Sequence, residues 1–98
     1  MGREIEVIKQ IAEQIGRNPH VEKVLLFGSR ARGDERERSD IDIAVVGSGI
    51  TESEWTEMWA YVDDAPTLLS VDLVRFEKSP EDLKQSITKE GVALYERT

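Results

Sequence analysis

The chain has no cysteine and a single histidine, His20, and these shortages remove whole classes of chemistry. Disulfide scaffolds and thiolate zinc sites are excluded, and histidine-based metal or triad catalysis lacks its residues. Any catalysis must therefore run on carboxylates and bound metal. Lys and Arg number 13 against 20 Asp and Glu, a formal charge of -7, so there is no excess of cations to neutralise nucleic-acid phosphates. A DNA or RNA substrate is disfavoured. No apolar run is long enough to span a membrane, and the start Met1-Gly2-Arg3-Glu4-Ile5-Glu6 has no signal-peptide core, with Glu6 where a myristoylation motif wants Ser or Thr. No membrane association is expected, and the location expected is cytoplasmic. The 98 residues suit one domain, 1–98, too small to include a separate substrate-recognition domain. Substrate selection is then expected to involve a partner.

What is present reads as alternating helices and strands. Ile5, Ile8, Ile11, Ala12 and Ile15 recur at helical spacing, and Gly16 with Asn18-Pro19 supplies the stop. Val21 to Phe27 suits a buried strand ending at Gly28, and Asp40 to Val46 suits a second, closed by Gly47-Ser48-Gly49. Residues 29–39 are polar, with room for one helical turn after Ser29. Thr51-Glu52-Ser53-Glu54 has the form of a capping box ahead of Trp55, Met58, Trp59 and Val62. A third strand is expected over Leu68 to Phe76, then a helix with Ser79 as cap and Pro80 at its first position, ended by Gly91, and a short strand from Val92 to Tyr95. The whole is an α/β (α+β) domain with helices packed on a small mixed sheet.

The chemistry concentrates in Gly28-Ser29, Arg30-Ala31-Arg32-Gly33 and Ser39-Asp40-Ile41-Asp42. Small residues after a strand let backbone N–H groups approach an anion, and paired aspartates hold the divalent cation that a triphosphate carries. Side chains alternate across a strand, so Asp40 and Asp42 share a face, their Cα atoms ~6.6 Å apart. Asp72 lies early in the third strand, where burial in an apolar run carries a penalty unless it is paired or metal-bound. If the second and third strands are parallel, with the first antiparallel to the second, Gly28-Ser29 and all three aspartates meet at one sheet edge. Two magnesium ions ~3.5–4 Å apart clamp the attacking and leaving oxygens of an in-line displacement, a task for which aspartate oxygens are suited. Asp40 and Asp42 would bridge the metals. Asp72 would hold the metal nearer the attacking hydroxyl and help take its proton, while Ser29, nearby backbone N–H groups and Arg32 would receive the terminal phosphates. The product is a nucleoside monophosphate joined to an acceptor, plus pyrophosphate.

Each signal has a bland counterpart. A lone Gly-Ser after a strand is usually a turn, and a lone Asp-x-Asp is usually a solvated edge; only the combination carries the reading. A Rossmann loop is excluded because GSRARG lacks the middle glycine, and a Walker loop because Gly-Lys-Ser/Thr is missing. Arg30, Arg36 and Arg38 alternate with Asp34, Glu35 and Glu37 and read as a solvated loop. Trp55 and Trp59 read as core and His20 as a loop residue.

The run GSRARGDERERSDIDIAV from Gly28 to Val46 resembles the minimal nucleotidyltransferases of the polymerase-beta-like superfamily. Ser70-Val71-Asp72-Leu73-Val74 looks like the strand bearing that family's third acid, and Lys89 to Tyr95 like its usual close. The resemblance implies a polymerase-beta palm-like fold, catalytic and metal roles for Asp40, Asp42 and Asp72, and nucleotide binding at Gly28, Ser29 and Arg32. It further implies a helical HEPN-type partner in a toxin–antitoxin pair, with AMP from ATP moved to a hydroxyl of that partner. Two rivals stay open: a binding module that neutralises its partner by complex formation with nucleotide as a structural ligand, and transfer to a small molecule such as an aminoglycoside. The nucleotide, the acceptor and self-association are not fixed by the sequence.

Overall fold

A computed structural model describes residues 2–28, 31, 33, 40–67 and 70–97, with side chains from residue 5 onward. The elements run α1 (Gly2–Gly16), β1 (Lys23–Phe27), β2 (Ile41–Val46), α2 (Glu52–Asp63), β3 (Val71–Arg75), a 3-10 turn (Phe76–Lys78), α3 (Glu81–Glu90) and β4 (Val92–Glu96). The sheet order is β3-β2-β1-β4, with β1 antiparallel to β2 and to β4, and β2 parallel to β3. This is the mixed sheet expected from the sequence, and α2 is the crossover that two parallel neighbours require.

One face of the sheet carries the main core. Val24, Ile41, Ile43, Val45 and Leu73 pack there against Val7, Ile8, Ile11, Ala12 and Ile15 of α1 and Met58 and Val62 of α2. Ile5, expected on the same stripe, is 56% exposed, because Val7 takes part in the buried arc and shifts its centre away from Ile5. Gly16 closes α1 directly over the Tyr95 ring, where an added Cβ would stand 2.7 Å from a ring carbon. The opposite face holds Ala44 and is covered by α3 through Ile87, both fully buried.

α2 starts as its sequence dictates. The Thr51 hydroxyl accepts the Glu54 N–H at 3.1 Å and the Glu54 carboxylate accepts the Thr51 N–H at 2.9 Å, a complete capping box. His20 is an exposed loop residue whose Nδ1 lies 3.0 Å from the same carboxylate. Trp55 and Trp59 stack edge to face at 6.5 Å as partly buried neighbours of the core, and Arg75 lies over Trp55 while donating to the Ile50 carbonyl at 2.8 Å.

Two expectations are corrected at α3 and β3. Ser79 does not cap α3: its hydroxyl donates to the Arg75 carbonyl at 2.8 Å, and Pro80 takes the cap position with no side-chain bond. β3 ends at Arg75, because residues 76–78 tighten into the 3-10 turn. The end of the chain is fastened by Arg97, whose guanidinium donates to the carbonyls of Val21 and Asn18 at 3.0 Å and of Gly16 at 3.3 Å.

Candidate active site

The parallel register pairs Asp42 with Asp72, and the antiparallel register pairs Phe27 with Asp42. The carboxylate of Asp42 therefore stands between the end of β1 and the start of β3, on the face that α3 covers further along the strands. Gly28 follows Phe27 with φ +81°, a left-handed conformation that L side chains rarely adopt, and a Cβ built there would lie 2.5 Å from Asp42 Oδ2. The Ala31 N–H donates to the Gly28 carbonyl at 3.1 Å, while the helical turn expected after Ser29 falls largely outside the described residues. Gly28 is thus needed twice over: for its backbone conformation and for the room it leaves the aspartate.

Asp40 lies immediately before β2 and is exposed; Asp42 is half-buried; Asp72 is exposed. The burial penalty expected at Asp72 falls on Asp42 instead. β3 is an edge strand, open to water on its outer side, whereas β2 is flanked by strands on both sides. Burial of Asp42, then the neighbouring charge of Asp72, then that of Asp40 push its carboxyl above the ordinary carboxylate range. The structure thus brings all three acids to the same end of the sheet and couples them through Asp42. Ser29 and Arg32 lie outside the described residues, as do Arg30, Arg36 and Arg38.

The donor chemistry fits a hard divalent cation: carboxylate oxygens with, among the described residues, no Lys or Arg paired to them, and one acid whose ionisation is held back by burial and by its acidic neighbours. As they stand, no three His, Asp or Glu side chains among the described residues are gathered into a ligand set. One residue to which the sequence assigned no role joins this edge. Ser70, exposed, accepts the Ile41 N–H at its carbonyl at 2.8 Å, which extends the β2–β3 ladder so that Ser70 stands opposite Asp40.

Comparison with known proteins bears on the same edge. A stretch of 27 residues is 63% identical to the "Putative protein adenylyltransferase MJ0604" of Methanocaldococcus jannaschii, covering 28% of this chain and 27% of that protein, so the match spans only a small part of the relative's length. Among solved structures, a chain of a toxin–antitoxin complex with AMP-PNP superposes with a TM-score of 0.68 at 24% identity, covering 92% of this chain and 74% of that one. A chain from the complex of tri-AMPylated Shewanella oneidensis HEPN toxin with MNT antitoxin gives 0.60 at 21% identity, covering 95% and 70%. These two likenesses establish the fold. The family model described as "Polymerase beta, Nucleotidyltransferase" matches residues 9–98. With a mixed sheet that gathers Gly28, Asp40, Asp42 and Asp72 at one edge, and a family match over nearly its whole length, the chain belongs to the polymerase beta nucleotidyltransferase family.

Proposed function

We propose that this protein transfers AMP from ATP to a hydroxyl of a partner protein, a helical HEPN-type protein that it thereby neutralises. The observation that carries the reading is the register that sets Asp42 beside Asp72, with Asp40 two residues away on the same face and Gly28 against the Asp42 carboxylate. The names support the chemistry, one being a "Putative protein adenylyltransferase" and another a complex of tri-AMPylated HEPN toxin with MNT antitoxin.

Each residue then has a task. Asp40 and Asp42 would hold magnesium together, and Asp72 would be a further ligand facing the acceptor. Bound metal would supply charge neutralisation at the α-phosphate and at the departing pyrophosphate. Asp72 stands exposed at the sheet edge, where an acceptor hydroxyl from another protein has access, and it helps take that hydroxyl's proton. Gly28 brings its backbone close to the acids without a side chain in the way, so that N–H groups of the turn and the Ser29 hydroxyl receive phosphate oxygens. Arg32 neutralises charge on them. The raised pKa of Asp42 suits a group whose ionised form is completed by a cation.

The test is incubation of the protein and the product of the adjacent gene with α-labelled ATP and magnesium, followed by intact mass measurement. The partner is expected to gain one or more adenylyl units, and Asp42→Asn to abolish the gain. Equal labelling by the Asp42→Asn protein would sink the catalytic assignment. Neutralisation that survives in that variant would instead identify a protein acting by complex formation alone.

A further inference from the structure

The three aspartates occupy three corners of a rectangle on the sheet, and the fourth corner is a hydroxyl. Asp42 stands opposite Asp72 in the parallel register, and Ile41 opposite Val71, so the preceding residues, Asp40 and Ser70, are opposite one another. The bond from the Ile41 N–H to the Ser70 carbonyl at 2.8 Å carries the ladder through that position. Strand alternation then puts Ser70 on the same face as Asp72, their Cα atoms ~6.6 Å apart, with Asp40 ~4.8 Å away across the ladder. Ser70 is exposed, and among the described residues its hydroxyl makes no hydrogen bond. Between 40–46 and 70–75, the two segments that form this edge, it is the sole hydroxyl-bearing side chain.

We infer that Ser70 is a self-acceptor: in the absence of a partner the protein adenylylates its own Ser70, and the modified chain blocks its own site. The inference rests on the nucleotidyl transfer proposed above and adds an acceptor to it. An acceptor hydroxyl has to come to the α-phosphate on the side of Asp72, and Ser70 is already tethered there, which replaces an encounter between two molecules by a motion within one. In the transfer the Ser70 Oγ forms a bond to the α-phosphorus of ATP. The bond from that phosphorus to the oxygen bridging the α- and β-phosphates breaks, pyrophosphate leaves with the electron pair, and the hydroxyl proton passes to water. The product is a seryl-AMP phosphodiester. Its adenylyl group sits among Asp40, Asp42 and Asp72, adding a further negative charge where three already stand, and it fills the approach that a second hydroxyl needs. Self-modification would therefore limit turnover until a partner's hydroxyl competes for the nucleotide.

The experiment uses the full chain with ATP and magnesium, alone and with the product of the adjacent gene, read by intact mass and then by peptide mapping. Alone, the protein is expected to gain one adenylyl unit mapped to Ser70. Ser70→Ala loses the gain with an unchanged melting curve, and Ser70→Thr retains it. After this treatment the wild type is expected to label the partner more slowly than untreated protein does. No gain in mass, or a gain mapped elsewhere, overturns the inference; a partner that is still labelled in the same reaction leaves the proposed function standing, and a partner left unlabelled brings down both.

Discussion

Replacing Gly28 by alanine separates two physical demands that meet at one backbone position. The first is conformational: at φ +81° an alanine pays about 1–2 kcal/mol that glycine does not. For a domain of this size that corresponds to a melting temperature lower by ~4–16 °C. The second is steric: the new Cβ would stand 2.5 Å from Asp42 Oδ2, about 1 Å inside an ordinary contact of ~3.5 Å. Because the atom struck is the end of a short side chain, the contact is relieved by turning the Asp42 carboxylate away, which adds little to the stability loss. It displaces a proposed metal ligand by ~1 Å, a misplacement of the size that lowers rates by about 100-fold. Gly33→Ala is the control, since Gly33 has φ +80° with no atom within 4 Å, so it shares the strain and escapes the collision. Thermal melts and partner labelling from ATP should show both variants destabilised to a similar degree, with the rate of Gly28→Ala far below that of Gly33→Ala. Wild-type melting and wild-type transfer in Gly28→Ala would refute the reasoning, and equal rates in the two variants would remove the steric half of it.

Asp42→Asn is expected to raise the stability of the metal-free protein while abolishing transfer, since it removes a charge that burial and two neighbouring carboxylates disfavour. The sign follows from linkage: the folded pKa lies above the ordinary 3.8, so the stability tied to the protonated form is present below 3.8 and lost as pH rises through the folded pKa. The stability gap between variant and wild type should therefore open as pH is raised from below 3.8; melts that show a gap independent of pH would contradict the coupling. Arg97→Ala leaves the carbonyls of Gly16, Asn18 and Val21 without their cationic donor and should lower unfolding free energy in urea by about 1.5–3 kcal/mol. Thr51→Ala removes one half of the capping box of α2 and should cost about 0.5–2 kcal/mol in the same assay, with labelling retained.

Local chemistry made much of this protein legible from its residues. A capping box states where a helix begins because it satisfies backbone donors within four residues, and Thr51 with Glu54 does so. Apolar periodicity marked α1, and apolar runs ending in glycine marked β1 and β2, since each such pattern is set by neighbours in the chain. The strand directions followed as well: with a short loop between β1 and β2 and a helix between β2 and β3, antiparallel and then parallel pairing are the arrangements the connections favour. Asp-x-Asp placed two carboxylates on one face by alternation alone.

Other features depend on which strand lies beside which, and those required the tertiary structure. The sequence shows Asp72 in an apolar run and Asp42 at a polar boundary, which suggests that Asp72 is the desolvated acid. The sheet order reverses this, because β3 is an edge and β2 is interior. Ser79 reads as a helix cap, yet the turn after β3 brings the Arg75 carbonyl within reach of its hydroxyl and takes that bond instead. The distance from Gly28 to Asp42 spans 14 residues of chain and is set by the β1–β2 register, and Ser70 became visible only when the β2–β3 ladder set it opposite Asp40. Periodicity and capping are properties of a chain a few residues long, so the sequence by itself determined them. Burial and juxtaposition are properties of neighbours that the chain brings back from far along its length, and only the packed sheet decided those.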